Sequence, residues 1–290
     1  MAAFTPRTLM AGEGVLTAYD HGAHVASWTI NDVPVVWVSG RSQYVADAAI
    51  RGGVPICWPW FAGGPSGDRK PSHGLARTAT WDLVEQDVDA ARWRLTSAML
   101  GKAGEDLDAE VACEMHVMVT SEALQLRHTV TNVGQNPMSY EVALHTYLHV
   151  GDVRHVEVVG LGDAAYYDKV KGQNAHQTVP LRITDEVDRI YHSPGPVHLV
   201  DPILDRQLSV RSEGASNTVI WNPGPAGAAD MGDFGDTEWT HMLCVETANI
   251  DHHAISLEPG RSHTTTALIS VSPSHSLEAA GTPDLEPKAR

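Results

Sequence analysis

Apolar residues in this chain recur at every second position, in short runs broken by Gly, Pro, Asn and Asp. No window carries them at the three-to-four spacing of a long amphipathic helix. A period of two is the mark of strands with one buried face. The alternation predicts strands over residues 14–20, 24–29 and 33–39, an antiparallel pair over 81–86 and 92–98, and a second pair over 110–120 and 123–132 joined by Ser121-Glu122. Further strands are predicted over 139–150, 155–159, 197–199, 207–212, 218–221, 242–248, 254–257 and 264–271. Many short strands at such intervals, without alternating helices, predict an all-β chain: a large antiparallel β-sandwich with few short helices. Residues 1–273 read as a single domain and 274–290, with their Gly, Pro and charges, as a flexible C-terminal tail.

Composition narrows the class of partner. The 36 acidic against 20 basic residues leave a net charge of −16, which argues against nucleic acid and against an anionic membrane surface. No apolar run approaches the roughly 20 residues needed to span a bilayer, and the first residues lack the apolar core of a signal peptide, so a cytoplasmic location is expected. Cys57, Cys113 and Cys244 are odd in number, far apart and form no CxxC pair; buried reduced thiols are expected rather than disulfides or a thiolate metal site.

Three segments could carry chemistry. The first, IRGGVPICWPWFAGGPSGDRKPSHGLAR over residues 50–77, is too rich in Gly and Pro for regular structure, and sets Arg51 and Arg77 in a loop of an acidic molecule. Paired guanidinium forks suit an anion such as a phosphate, and Trp58, Trp60 and Phe61 suit a sugar ring; turn formation, surface solvation and core packing are the alternatives. There is no GxxxxGK[ST] loop and no strand-linked GxGxxG. In the second, YEVALHTYLHV over residues 140–150, a strand would put Glu141, Ala143, His145, Tyr147 and His149 on one face and Val142, Leu144, Thr146, Leu148 and Val150 on the other. His145 then stands on a cleft wall, as a functional or a hydrogen-bonded structural histidine. His145 and His149 have the spacing of a metal pair, but Thr146 occupies the place of the metalloprotease glutamate. The third, HMLCVETAN over residues 241–249, holds Glu246 inside an apolar run. A carboxylate buried there needs partners, and desolvation raises its pKa toward the range of a general base. A bridging structural carboxylate is the alternative. With no GxSxG elbow and no announced Cys-His pair, separate acid and base groups are favoured over covalent catalysis.

On IRGGVPICWPWF (residues 50–61), SHGLART (72–78), EVALHTYLHVGD (141–152), TDEVDRIY (184–191), WNP (221–223) and MLCVETAN (242–249), in that order, the chain resembles the aldose 1-epimerase, or galactose mutarotase-like, superfamily, most closely its glucose-6-phosphate 1-epimerase branch. The resemblance implies a galactose mutarotase-like supersandwich with an open carbohydrate groove and no metal or organic cofactor. It implies His145 as general acid, Glu246 as general base, Arg51 and Arg77 as substrate ligands suited to phosphate, and His73 and Asp188 as contacts to sugar hydroxyls or the ring. Many relatives have Gln before the HG pair where this chain has the shorter Ser72, counted here with the substrate-binding residues. A monomeric isomerase acting on a hexose 6-phosphate is expected. Competing readings are an epimerase of unphosphorylated hexose, a carbohydrate-binding module without turnover, and a cupin-like metal enzyme.

Overall fold

The computed structural model describes residues 4–105 and 107–274. Strand makes up 48% and helix 10% of it, which rules out βαβ architecture and agrees with the predicted sandwich of large antiparallel sheets. Among the described residues the larger sheet has 12 strands. Its path runs Arg7–Ala11, Gly14–Tyr19, His24–Ile30, Val33–Val36, Tyr147–His149, Met242–Asn249, Asn217–Asn222, Val187–Tyr191, Ala165–Asp168, Gln173–His176, with Val142–Leu144 and Ile56–Cys57 attached beside Met242–Asn249. The second sheet has eight strands in the order Glu157–Val159, Val197–Asp201, Arg206–Glu213, Ser262–Pro273, Ala123–Asn132, Val111–Val119, Ala90–Thr96, Asp82–Gln86.

Both predicted hairpins form. Val111–Val119 alternates buried and half-buried positions throughout and pairs with Ala123–Asn132 from Val111↔Asn132 to Val119↔Leu124. Thr120 closes their turn, its Oγ1 accepting the amide protons of Glu122 and Ala123. A single apolar cluster takes residues from both sheets, with Trp28, Trp58, Trp93, Met115 and Leu148 fully or nearly fully buried in it. Such burial is the main driving force for a fold of this kind, at roughly 25 cal/mol per Å² of apolar surface. All three cysteines are free and buried. A smaller cluster of Cys57, Phe61, Ala143, Val219, Ala248 and Ile250, with Trp221 against it, forms beside the main core.

Residues 139–150 are not one strand. Met138–Tyr140, Val142–Leu144 and Tyr147–His149 are separate, and the chain breaks at His145-Thr146, where the Thr146 amide donates back to the Leu144 carbonyl at 2.9 Å. The predicted alternation survives the break: Val142, Leu144 and Leu148 lie in the main core, while Ala143 joins the smaller cluster. Five strands were not anticipated from the alternation: Arg7–Ala11, Ile56–Cys57 inside the segment read as loop, Ala165–Asp168, Gln173–His176 and Val187–Tyr191. Of the segment read as a tail, residues 275–290 lie outside the described residues. Among the described residues no helix is long and apolar enough to cross a membrane.

Candidate active site

The site is built on the larger sheet, where Met242–Asn249 is flanked on one side by Val142–Leu144 and Tyr147–His149 and on the other by Asn217–Asn222. On either side of the break the registers are Leu144↔Thr247 and Tyr147↔Cys244, so His145 and Glu246 meet across neighbouring strands although about a hundred residues separate them. His145 Nε2 lies 3.4 Å from Glu246 Oε1. Both residues are buried, at 7% and 1% exposure. The pairs Asp188↔Trp221 and Val219↔Glu246 bring Asp188 and Trp221 to the same face.

Around these groups opens a pocket of about 120 Å³ lined by Arg51, Phe61, His73, His145, Tyr147, Lys169, Asp188, Trp221 and Glu246. Five of the seven residues singled out from the sequence are therefore brought together. Of the other two, Arg77 is half-buried, and its charge lowers the pKa of both His73 and His145, as does that of Arg51, so the two arginines act on the same imidazoles. Ser72 is exposed, and its backbone carbonyl accepts a 2.7 Å hydrogen bond from Arg77 Nη2. His149 is not among the lining residues and stacks on His241 with ring centroids 6.3 Å apart.

Backbone constraints fix the two arginine-bearing ends of the loop. Gly53 lies so close to the neighbouring strand that a Cβ there would sit 2.3 Å from the Val25 carbonyl oxygen, and its own carbonyl accepts the Tyr147 amide at 3.0 Å. At the other end a Cβ on Gly74, whose φ is +78°, would lie 2.1 Å from the Trp58 carbonyl oxygen. The preceding His73 is itself left-handed, with φ 63°, an uncommon state for a non-glycine residue that tends to be tolerated at functional sites. Its Nδ1 accepts the Ala62 amide at 3.3 Å, which leaves the proton of the neutral ring on Nε2. Burial, then Arg77, Lys169 and Arg51, lowers the His73 pKa to about 3. His73 is thus a neutral donor.

Electrostatics separate the catalytic candidates. Burial first, and then His73, Arg77 and Arg51, drives the His145 pKa well below the usual imidazole value. Burial first, and then Asp188, drives Glu246 well above the usual carboxylate value, with Lys169 opposing. Among the described residues Glu246 Oε2 and His145 Nδ1 are buried without a hydrogen-bond partner. The Tyr147 ring stacks on His145 at 4.8 Å and 12°, and Trp221 meets it edge-on at 6.0 Å. Arg51 donates through Nε to Asp233 at 3.1 Å and through Nη1 to the Tyr147 hydroxyl at 3.3 Å. Burial works against its charge, but Tyr147 and Asp233 more than offset this and hold its pKa above the ordinary guanidinium value. Lys169, a lining residue not singled out from the sequence, pairs with Asp188 at 2.7 Å. A lysine in the turn-like segment YYDKVKGQ reads as a solvated charge, and only the pairing of Ala165–Asp168 with Val187–Tyr191 carries it to the pocket.

An antiparallel supersandwich with a buried carboxylate and imidazole in a pocket walled by aromatic and cationic side chains is the class of site suited to acid–base chemistry on a small polar molecule. Residues 8–270 match the family model for aldose 1-epimerase, so the chain belongs to that family and is an epimerase. An Escherichia coli K12 protein named as a candidate glucose-6-phosphate 1-epimerase is 35% identical over 240 residues, covering 78% of this chain and 77% of that protein. One from Cenchrus ciliaris, named likewise, is 33% identical over 256 residues, covering 83% and 77%. The crystal structure of a candidate mutarotase from Salmonella typhimurium superposes with a TM-score of 0.82 at 28% identity, covering 92% of this chain and 90% of that one. A candidate aldose 1-epimerase from Escherichia coli K12, at 16% identity and a TM-score of 0.74 over 93% and 99%, shares the fold.

Proposed function

We propose that this epimerase interconverts the α and β anomers of a hexose 6-phosphate, with glucose 6-phosphate as its substrate, and that Glu246 is the general base and His145 the general acid. The observation that carries the reading is the buried His145–Glu246 pair at 3.4 Å in a pocket that also holds Arg51 and Lys169. Glu246 removes the proton of the anomeric hydroxyl while His145 gives one to the ring oxygen, and the C1–O5 bond opens to the free aldehyde. Rotation about C1–C2 presents the other carbonyl face, and reclosure with both transfers reversed yields the other anomer. In the open-chain state Glu246 is protonated and His145 neutral, the forms that burial favours for each. The same shifts disfavour the starting forms, protonated His145 and ionised Glu246, so populating them is part of the barrier even though the open-chain forms are favoured.

His73 supplies a hydroxyl donor through Nε2, Asp188 an acceptor, and Trp221 and Phe61 apolar faces for the ring. Arg51, with Arg77 and Lys169 near, is the anchor for the phosphate. A second reading, an unphosphorylated hexose, is favoured by one observation: Arg51 already pairs with Asp233 and Lys169 with Asp188, so both lining cations have acidic partners. The test is the relaxation of freshly generated α-glucose 6-phosphate and of α-glucose, each followed by an anomer-specific dehydrogenase. The expected result is acceleration of the phosphorylated sugar, reduced at least ~100-fold in kcat by Glu246→Gln and by His145→Ala, with Arg51→Ala raising KM for the phosphorylated sugar alone. Equal acceleration of both sugars, with KM unaffected by Arg51→Ala, selects the second reading. Sugar binding without acceleration leaves a binding protein.

A further inference from the structure

The three strands that bear Asp188, Trp221 and Glu246 also bring three histidines together beyond the pocket. His192 follows directly on Val187–Tyr191, while His252 and His253 lie in the short turn Asp251–His253 just after Met242–Asn249. Each offers one ring nitrogen within 4.8 Å of the other two. Ring centroids are 4.1 Å apart for His252 and His253, 4.8 Å for His192 and His252, and 5.9 Å for His192 and His253. Neutral imidazoles so placed are three convergent lone-pair donors of the kind that binds zinc or its neighbours in the first transition row.

The cluster has supporting contacts. Asn217, fully buried at the start of Asn217–Asn222, accepts at Oδ1 from the Ile250 amide and from His253 Nδ1, both at 3.2 Å, and donates through Nδ2 to the Tyr191 carbonyl at 3.3 Å. One amide side chain thus ties together both histidine-bearing segments, and it fixes the His253 tautomer with the free lone pair on Nε2. The Asp251 carboxylate lies 3.4 Å from His252 Nδ1, the carboxylate–histidine arrangement that orients metal ligands. His192 Nδ1 is buried without a hydrogen-bond partner among the described residues.

We infer that His192, His252 and His253 form a binding site for a divalent transition-metal ion of the zinc class, with Asn217 and Asp251 as positioning residues. Along the strands His192 is four residues from Asp188 and His252 six from Glu246. At about 3.3 Å per residue this puts the ion on the order of 10 Å or more from the proposed acid–base pair. Its role is to brace strand ends that carry the pocket, without entering the epimerase chemistry.

The test titrates Zn²⁺ into chelator-treated full-length protein by calorimetry and Co²⁺ by visible absorption. One equivalent is expected to bind saturably, with affinity lowered at least ~10-fold in His192→Gln and in His253→Ala, both with the circular dichroism of the parent. His241→Ala, in the separate His149–His241 stack, should leave binding unchanged. Bound Zn²⁺ should raise the melting temperature of the parent and not of the variants. Absence of saturable binding, or equal binding in parent and both variants, overturns the site. If a variant fails to fold, the Co²⁺ spectrum of the parent decides: nitrogen-ligated d–d bands support the assignment, and their absence rejects it. Epimerase activity assayed well below the melting temperature of the chelated protein should survive chelation; its loss there, with the circular dichroism unchanged, would reject the bracing role.

Discussion

The place of Glu246 in the pocket was legible because a charge in the middle of MLCVETAN needs partners, and that of His145 because alternation set it apart from its apolar neighbours. Lys169 was not legible, since the residue type is at home in any solvated turn and only a distant strand pairing brings it to the pocket. Nor does Ser72 announce that its backbone, held by Arg77, makes the local contact. The opposed shifts of the pair imply a specific titration. In the free enzyme the His145 midpoint should lie below the value near 6.5 of a free imidazole, its protonation as general acid being confined to the substrate complex. Ring ¹H–¹³C shifts, assigned by their disappearance in His145→Gln, measure this directly, and a midpoint near 6.5 would contradict the desolvation argument. A pair of this kind titrates as a unit, so Glu246→Gln is expected to move that midpoint as well.

Among the elements, long alternating strands were readable and short ones were not. Val111–Val119 declares itself by alternating burial along its whole length. Gln173–His176, with sequence QNAH, is mostly exposed at the edge of its sheet and has no apolar face to detect. The break at His145-Thr146 was equally hidden, because hydrophobic alternation continues across it. The loop after Ile50 was expected to hold the arginines, but what shapes it is contact rather than composition: Gly74 packs on the Trp58 carbonyl and thereby sets the left-handed His73. Gly74→Ala adds a Cβ at 2.1 Å from that oxygen and a side chain at positive φ. It should cost about 1–3 kcal/mol or more, read as a lowered urea midpoint, and should raise KM through displacement of His73. Unchanged values of both would mean that the loop adapts freely.

For the whole molecule, acidity is the condition to which this core is least suited. His24 and His128 are fully buried, and desolvation is the leading cause that lowers each to about 3, with His21 and Arg77 adding to it at His24 and His263 at His128. An unfolded chain takes up these protons near pH 6.5 and the native one does not, so stability falls as pH drops from 6.5 toward 3. Each histidine contributes up to about 2 kcal/mol of loss by pH 5. Both ring nitrogens of His128 lack hydrogen-bond partners among the described residues, and His128→Phe should shrink the difference in urea midpoint between pH 7 and pH 5. An undiminished difference would locate the acid sensitivity elsewhere. The fold class was readable from the sequence as many short strands, yet the order of strands in the larger sheet was not, since it joins the first strands of the chain to Tyr147–His149 and then to Met242–Asn249. That last pairing closes a loop of about a hundred residues, and the His145–Glu246 contact exists only once it has formed. Contacts so distant in sequence are the slow ones to assemble. Recovery of epimerase activity during refolding should therefore lag the return of β-structure, which makes turnover a clock for the final closure of the larger sheet.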